Sequence, residues 1–354
     1  MTIPDLAINQ VINSILPADE SVRQAACAKL DSLIKPQGSL GRLEECAARY
    51  AAARGFLDAR ICNPILLTFA GDHGVTAEGI STTDARTTQL MVKSMLQGGA
   101  GISVLAQHQG IRHRIIDTGM LYPCESPHII NRRIAGGTAN FTQGPAMTES
   151  QCVAAIKAGM AEAEIAVCDQ GSTLLGTGEI GIGNTTPSAA LYSVLLDMPP
   201  EIVCGCGSGI NPQQRLHKIQ VIKKGIQVNQ EYLDKGPFTI LAALGGFEIA
   251  AICGMILQAS ALRVPLLIDG YISSAAAVAA IKIKPEVLDY CFFSHLSGDQ
   301  GHLAAMNAIG VKPLLDLQLR LGEGTGAALA YNIISSANVL MHRMMSFSQA
   351  GITL

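Results

Sequence analysis

The sequence predicts an α/β fold, a parallel sheet of about six strands with helices on both faces. Short continuous apolar runs, of the kind fully buried strands show, alternate with longer segments of helical character. Of 354 residues, 49% are hydrophobic and only 15% charged, so most elements must be covered, by sheet packing or by a subunit interface. The length allows a large core and suits one main domain with a smaller appendage.

Composition also narrows the function. The net charge is −3 and Lys223-Lys224 is the only basic pair that stands out, so no nucleic-acid partner is expected. The most apolar stretch, Ile249 to Leu262, lies between Glu248 and Arg263. At about 14 residues against the roughly 20 that span a bilayer, it predicts a buried helix and no membrane. Met1 to Gln10 contains Asp5 and lacks a basic start followed by an apolar run, so no signal peptide is expected. Ten cysteines are scattered, with only Cys204 and Cys206 close. That pattern fits reduced thiols in a cytoplasmic protein better than a disulfide framework or a zinc site.

Taken in order, residues 1–31 read as helical, with Asp19 or Ser21 able to cap a helix through Leu30. The loop Lys35 to Gly41 leads into a helix from Arg42 to Arg54; it is either a plain turn or a lysine with backbone amides facing an anion. Ile65 to Phe69 is the first buried strand and delivers Gly71-Asp72-His73-Gly74 at its C-terminal end, where α/β sheets bind ligands. Ser81 to Gln97 and Ile102 to Gln109 read as helices. Further strand-like runs are His113 to Ile116, Ser172 to Leu175, Thr239 to Ala242, Pro265 to Ile268 and Tyr290 to Phe293. Helical segments at 148–169, 186–196, 212–232, 247–262, 274–282 and 300–308 separate most of them.

Several polar groups fall where these elements meet. Glu323 stands between Gly322 and Gly324 before an apolar helix. There it is either a carboxylate of raised pKa suited to accepting a proton, or the cap of a helix-start turn. Gly176 to Pro187 contains G-x-G-x-x-G, with Asp197 downstream, which admits a dinucleotide site. The motif comes late in the chain, however, and does not run straight into a helix. A loop of amides and hydroxyls for phosphate and ribose, with Glu179 as a second carboxylate, is the stronger reading. Gly205, Gly207 and Gly209 form a second glycine-rich loop, followed by a helix bearing Lys218, which alone reads as a surface lysine. Asp269 ends one strand and Ser294-His295 another. His295, Asp299 and His302 have metal-ligand types, but Gly298 and Gly301 break the helix that would align them, so hydrogen bonding is favoured over a metal. No G-x-S-x-G or Walker A sequence is present.

The order of these motifs resembles the nicotinate-nucleotide:5,6-dimethylbenzimidazole phosphoribosyltransferases, which make the lower-ligand nucleotide of cobalamin-type cofactors. The matching pieces are Lys35 to Gly41, Gly71 to Val75, Gly137 to Phe141, Gly144 to Thr148, Gly178 to Pro187, Gly245 to Ala251, Asp269 to Ile272, Ser294 to His302 and Arg320 to Ala330. The resemblance implies a Rossmann-like sheet in a catalytic domain of residues 61–330, with residues 1–60 and 331–354 forming a small helical domain. It implies small-molecule substrates, no cofactor, and a homodimer or a heterodimer with a paralogue. The implied reaction joins the phosphoribose of nicotinate mononucleotide to a base and releases nicotinate.

By motif, Glu323 resembles the general base, and Glu179 would lie beside the ribose. Gly181, Gly183, Asn184, Thr185, Thr186, Gly207 and Lys218 would hold the nucleotide and its phosphate, and Ser81, Gln89 and Leu321 the base. Lys35, Asp72, His73, Asp269, Ser294, His295 and His302 are further candidates. Residues 82–88 depart from the family pattern beside the base pocket, which leaves the base open between a benzimidazole, adenine and a phenol. Two other functions compete: a low-activity paralogue acting as partner subunit of an active homologue, and a dinucleotide-dependent oxidoreductase.

Overall fold

The structure is a computed structural model that describes residues 5–207 and 209–352; the helical reading of residues 1–4 lies outside them. Six strands form one sheet: β1 (Ile65–Gly71), β2 (Arg112–Gly119), β3 (Ile129–Asn131), β4 (Leu175–Ile180), β5 (Leu266–Ile268) and β6 (Cys291–Phe293). All neighbours are parallel, in the order β3-β2-β1-β4-β5-β6. This is the doubly wound order in which chain direction across the sheet reverses between β1 and β4, so a crevice opens at their C-terminal ends.

The α-helices, in chain order, are α1 (Leu6–Ser14), α2 (Glu20–Asp31), α3 (Arg42–Arg54), α4 (Ala85–Leu96), α5 (Gly101–Gln109), α6 (Glu149–Glu164), α7 (Thr185–Leu195), α8 (Pro200–Val203) and α9 (Pro212–Val228). They continue with α10 (Gln230–Leu233), α11 (Pro237–Leu244), α12 (Phe247–Ala261), α13 (Tyr271–Ile283), α14 (Gly301–Ala308) and α15 (Thr325–Arg343). Strand side chains alternate between two cores. Ile65, Leu67 and Phe69 join α6, α7, α12 and α13 on one face. Leu66 and Ala70 join α2, α3, α5 and α15 on the other. The two chain ends meet on that second face, where Ile34 N donates to Met345 O at 2.9 Å and Phe347 N to Ser32 O at 3.0 Å. Helix α1 lies apart from them, with Ile8 in the core of the first face. Among the described residues no helix is long and apolar enough to cross a membrane.

Three elements depart from the sequence reading. Thr239 to Ala242 is not a strand but part of α11, which starts on Pro237 and stops before Gly245; a short apolar run alone cannot separate buried strand from buried helix, and proline at the first helical position decides it. The sixth strand is instead β3, three residues at the sheet edge. The helix expected from Ser81 starts at Ala85, because Asp84 accepts a hydrogen bond from Arg86 N at 2.9 Å and caps it.

The third departure matters most for function. The strand placed at Ser172 to Leu175 is β4, running from Leu175 to Ile180, so Gly176, Thr177, Gly178 and Glu179 are sheet and not loop. Glycine weakens a strand interior, yet Gly178 is obligatory here. A β-carbon on it would lie 2.5 Å from Thr68 Oγ1 and would collide with the carbonyl of Glu323. A dinucleotide fingerprint needs those glycines at a strand-to-helix turn, and β4 removes that reading.

Candidate active site

At the reversal point the C-terminal ends of β1 and β4 open into a cleft, also lined from the segments after β5 and β6 and the segment before α15. Of the residues singled out from sequence, Ser81, Glu179, Gly181, Gly183, Asn184, Thr185, Gly207, Lys218, His295 and Leu321 line it. Glu179 emerges at the end of β4, and Asn184 Nδ2 donates to its Oε2 across the turn Gly181 to Asn184. Burial, with the charges of Asp269 and Glu248 nearby, pushes the Glu179 carboxyl up to about 8.

The turn after β4 rests directly on β1. Gly181 is pressed so tightly on Gly71 that a β-carbon would collide with the Gly71 carbonyl. Helix α7 begins at Thr185, which lines the cleft, so the positive end of the helix lies at the cleft. Lys218, from α9, is buried and donates to Thr185 Oγ1 at 2.6 Å. Burial pulls its ammonium below the ordinary lysine range, partly offset by Cys204 and Asp299. A buried ammonium, a hydroxyl and a helix N-terminus make a site for a phosphate group. Thr186, by contrast, is fully buried under the turn and does not line the cleft.

Glu323 is buried directly behind Leu321 and Gly322, which line the cleft, and is not itself a lining residue. Its Oε2 accepts from Ile102 N at the start of α5 at 3.2 Å. Among the described residues its Oε1, which is buried, has no hydrogen-bond partner. Burial raises its pKa, opposed by the Ile102 amide. Its N–H donates to Glu179 O at 3.1 Å, which ties the two carboxylates to adjacent backbone. Asp269 serves as the cap of α15: Oδ2 accepts from Gly324 N at 3.1 Å and Oδ1 from Ala327 N at 3.0 Å. His295 Nε2 lies 3.9 Å from Asp269 Oδ1.

Several expected site residues stand elsewhere. Lys35 Nζ is 2.8 Å from Glu44 Oε1 and lines no part of the cleft, so its charge is already answered within the chain. Gln89 donates to Pro123 O at 2.8 Å and is not a lining residue; its helix begins four residues later than expected, which changes the face it presents. Asp72 and His73 lie beneath the floor. Asp72 Oδ1 accepts from Thr88 Oγ1 at 2.6 Å and Oδ2 from Leu121 N at 2.7 Å. His73 Nε2 lies 2.7 Å from Glu248 Oε1; burial disfavours protonation of His73, but Glu248 outweighs it and raises the pKa. Ser294 is buried and its N–H pairs with Ile268 O at 2.8 Å. Both His302 nitrogens are committed, Nδ1 accepting from Ser297 N at 2.8 Å and Nε2 paired with Ser274 Oγ at 3.0 Å. Burial pushes His302 down to about 3, a neutral strut and not a ligand.

One contributor escapes a sequence reading, and a second, Asp299, makes the kind of hydrogen bond its motif suggested. Thr88 Oγ1 accepts from Ile182 N at 3.1 Å and so ties α4 to the phosphate turn, yet nothing marks one threonine among several at a helix start. Asp299 Oδ2 accepts from Gly207 N at 3.3 Å and lines the cleft. Its signal was present in the Ser294 to His302 motif.

The fold and site define a class: an α/β enzyme whose cleft at the sheet's reversal point is lined by a buried lysine and a hydroxyl suited to an anion, with two buried carboxylates beside it. A family model described as phosphoribosyltransferase matches residues 15–352. The chain is 49% identical over 347 residues to the nicotinate-nucleotide–dimethylbenzimidazole phosphoribosyltransferase of Chlorobium chlorochromatii, covering 98% of each. It is 44% identical to the enzyme of that name from Geobacter sulfurreducens, again over 98% of each. A crystal structure of the Thermus thermophilus enzyme of that name superposes with a TM-score of 0.89 at 37% identity, covering 95% of this chain and 99% of that one. The chain belongs to the nicotinate-nucleotide–dimethylbenzimidazole phosphoribosyltransferase family.

Proposed function

We propose that the cleft transfers the phosphoribosyl group of nicotinate mononucleotide to a benzimidazole-type base, giving an α-linked ribotide phosphate and nicotinate. The observation that carries this reading is the nearness of two features: a polar pocket built on Lys218 and Thr185, which line the cleft, and Glu323, buried directly behind the lining residues Leu321 and Gly322, whose Oε1 has no hydrogen-bond partner among the described residues. The phosphate binds at the Gly181 to Thr185 turn, which places the ribose beside Glu179. Breaking the C1′–N bond sends its electron pair to the pyridinium, so nicotinate leaves as a neutral ring and needs no acid. Positive charge that builds on the ribose is met by Glu179 as a carboxylate. One imidazole nitrogen of the incoming base attacks C1′ from the opposite face, and its other N–H passes a proton to Glu323 Oε1. The scheme is proposed without a bound cofactor.

The competing functions fare worse. Gly176 and Gly178, two of the three glycines of the dinucleotide reading, are β-strand, and Glu179 and Glu323 are both present and buried, which gives a catalytically weak partner subunit no support. We infer a dimer from the high apolar content, which sedimentation would check. The reaction is tested by incubating the protein with nicotinate mononucleotide and dimethylbenzimidazole, adenine or phenol in parallel and analysing products by mass spectrometry. An α-ribotide phosphate with dimethylbenzimidazole is expected. No product with any base, from protein that binds the mononucleotide, would overturn the proposal.

A further inference from the structure

Glu323 sits in an unusual backbone setting. Gly322, Glu323 and Gly324 have φ of +79°, +65° and +102°, three left-handed residues in succession. Glycine adopts this at no steric cost, but glutamate does not, and such a conformation persists only where surrounding contacts impose it. The Glu323 carbonyl accepts from Thr68 Oγ1 at 2.9 Å, a bond buried at both ends. Thr68 Oγ1 in turn lies 2.9 Å from His113 Nε2. The directions follow from proton counts. A carbonyl only accepts, so the single hydroxyl proton goes to Glu323 O, and His113 must carry its proton on Nε2 and donate. Burial holds His113 at about 4, so the ring is neutral.

This chain of donors has no packing rationale. Thr68 is on β1 between Leu66 and Ala70, and both of those belong to the apolar core that α15 covers. Valine would fill the same volume there without a polar atom to satisfy. The hydroxyl is present where the Glu323 carbonyl descends onto the sheet over Gly178.

We propose that Thr68 and His113 are positioning residues for Glu323: a hydrogen-bond chain running across β2 and β1 fixes the backbone of that residue and thereby aims its carboxylate. The inference rests on Glu323 being the general base. Displacing a catalytic group by about an ångström can cost up to ~100-fold in rate, without touching groups that bind the nucleotide. The test is steady-state kinetics on Thr68→Val, Thr68→Ser and His113→Phe, with Glu323→Gln alongside. Thr68→Val is expected to lower kcat by about 10- to 50-fold with the KM for nicotinate mononucleotide within about twofold, and Thr68→Ser to recover most of the loss. His113→Phe, at the half-buried outer end, is expected to lower kcat by about three- to tenfold.

A Thr68→Val protein that fails to bind the nucleotide passes the decision to His113→Phe, where unchanged kcat overturns the proposal. Wild-type kcat in both variants, with Glu323→Gln inactive, overturns the clamp alone. An active Glu323→Gln overturns the general-base reading itself.

Discussion

Replacing Lys218 with methionine separates nucleotide binding from protein stability in a way that few site substitutions can. The ammonium is buried, its hydrogen bond goes to a neutral hydroxyl, Thr185 Oγ1, and burial lowers its pKa. Against a phosphate it supplies a charge-assisted contact in a water-poor site, and losing one partner of such a pair costs about 3 kcal/mol. At about 1.4 kcal/mol per decade, the KM for nicotinate mononucleotide should rise about 100-fold. The value of kcat should change little, because in the proposed scheme Lys218 meets the phosphate and not the reacting carbon.

Stability without ligand should move the other way. A lysine whose pKa is depressed by folding binds fewer protons in the folded state, so stability rises with pH from the folded value up to about 10.4. Below that window the buried charge works against folding. Methionine removes that opposition, so Tm measured without nucleotide at neutral pH should hold or rise. A KM unchanged by the substitution, or a fall in kcat alone, would refute the assignment of Lys218 to phosphate.

Other perturbations test neighbouring parts of the site. Since Glu179 titrates at about 8 in the ligand-free protein, kcat/KM should climb as pH rises through that value, and Glu179→Gln should remove the climb. The same raised pKa means the folded state binds the extra proton between the ordinary value of 4.5 and about 8. Tm should therefore fall across that window as pH rises, and fall less in Glu179→Gln. Gly178→Ala places a methyl against the Glu323 carbonyl; kcat should drop by about 100-fold with nucleotide affinity nearly preserved, measured by titration calorimetry. Thr88→Val leaves Ile182 N and Asp72 Oδ1 without partners. At about 1 to 3 kcal/mol for such a loss, nucleotide KM should rise by about 5- to 100-fold, with Thr88→Ser restoring it.

How far the sequence could be read depended on whether each cue was local. Ile65 to Phe69 is an apolar run interrupted only by Thr68, and its strand and the polar turn that follows were legible at once. Gly176 to Ile180 was misplaced because its two glycines look like a turn. Only the distant Glu323 carbonyl, pressing on Gly178, explains why a strand tolerates them. The flanking glycines singled out Glu323 but left it open between a proton acceptor and the cap of a helix-start turn. Lys218 carries no such local mark, because on a helix with many polar neighbours a lysine reads as solvated until α7 and the Gly207 loop are seen to bury it. The Thr68 to Glu323 bond joins residues 255 positions apart and leaves no local trace at all. Gln89 and Lys35 meet partners that no motif marks: Pro123 O and Glu44 are brought to them by packing.

Glu323→Gln, with turnover and nucleotide affinity measured on the same protein, bears most directly on the assignment of Glu323 as the base that takes the incoming proton. Glutamine keeps the size of the side chain and can still accept from Ile102 N, but it cannot accept a proton at neutral pH. Turnover should vanish to within the assay limit while calorimetric affinity for nicotinate mononucleotide stays within about twofold of wild type. Equal loss of affinity and rate, or turnover that survives the substitution, would contradict the assignment.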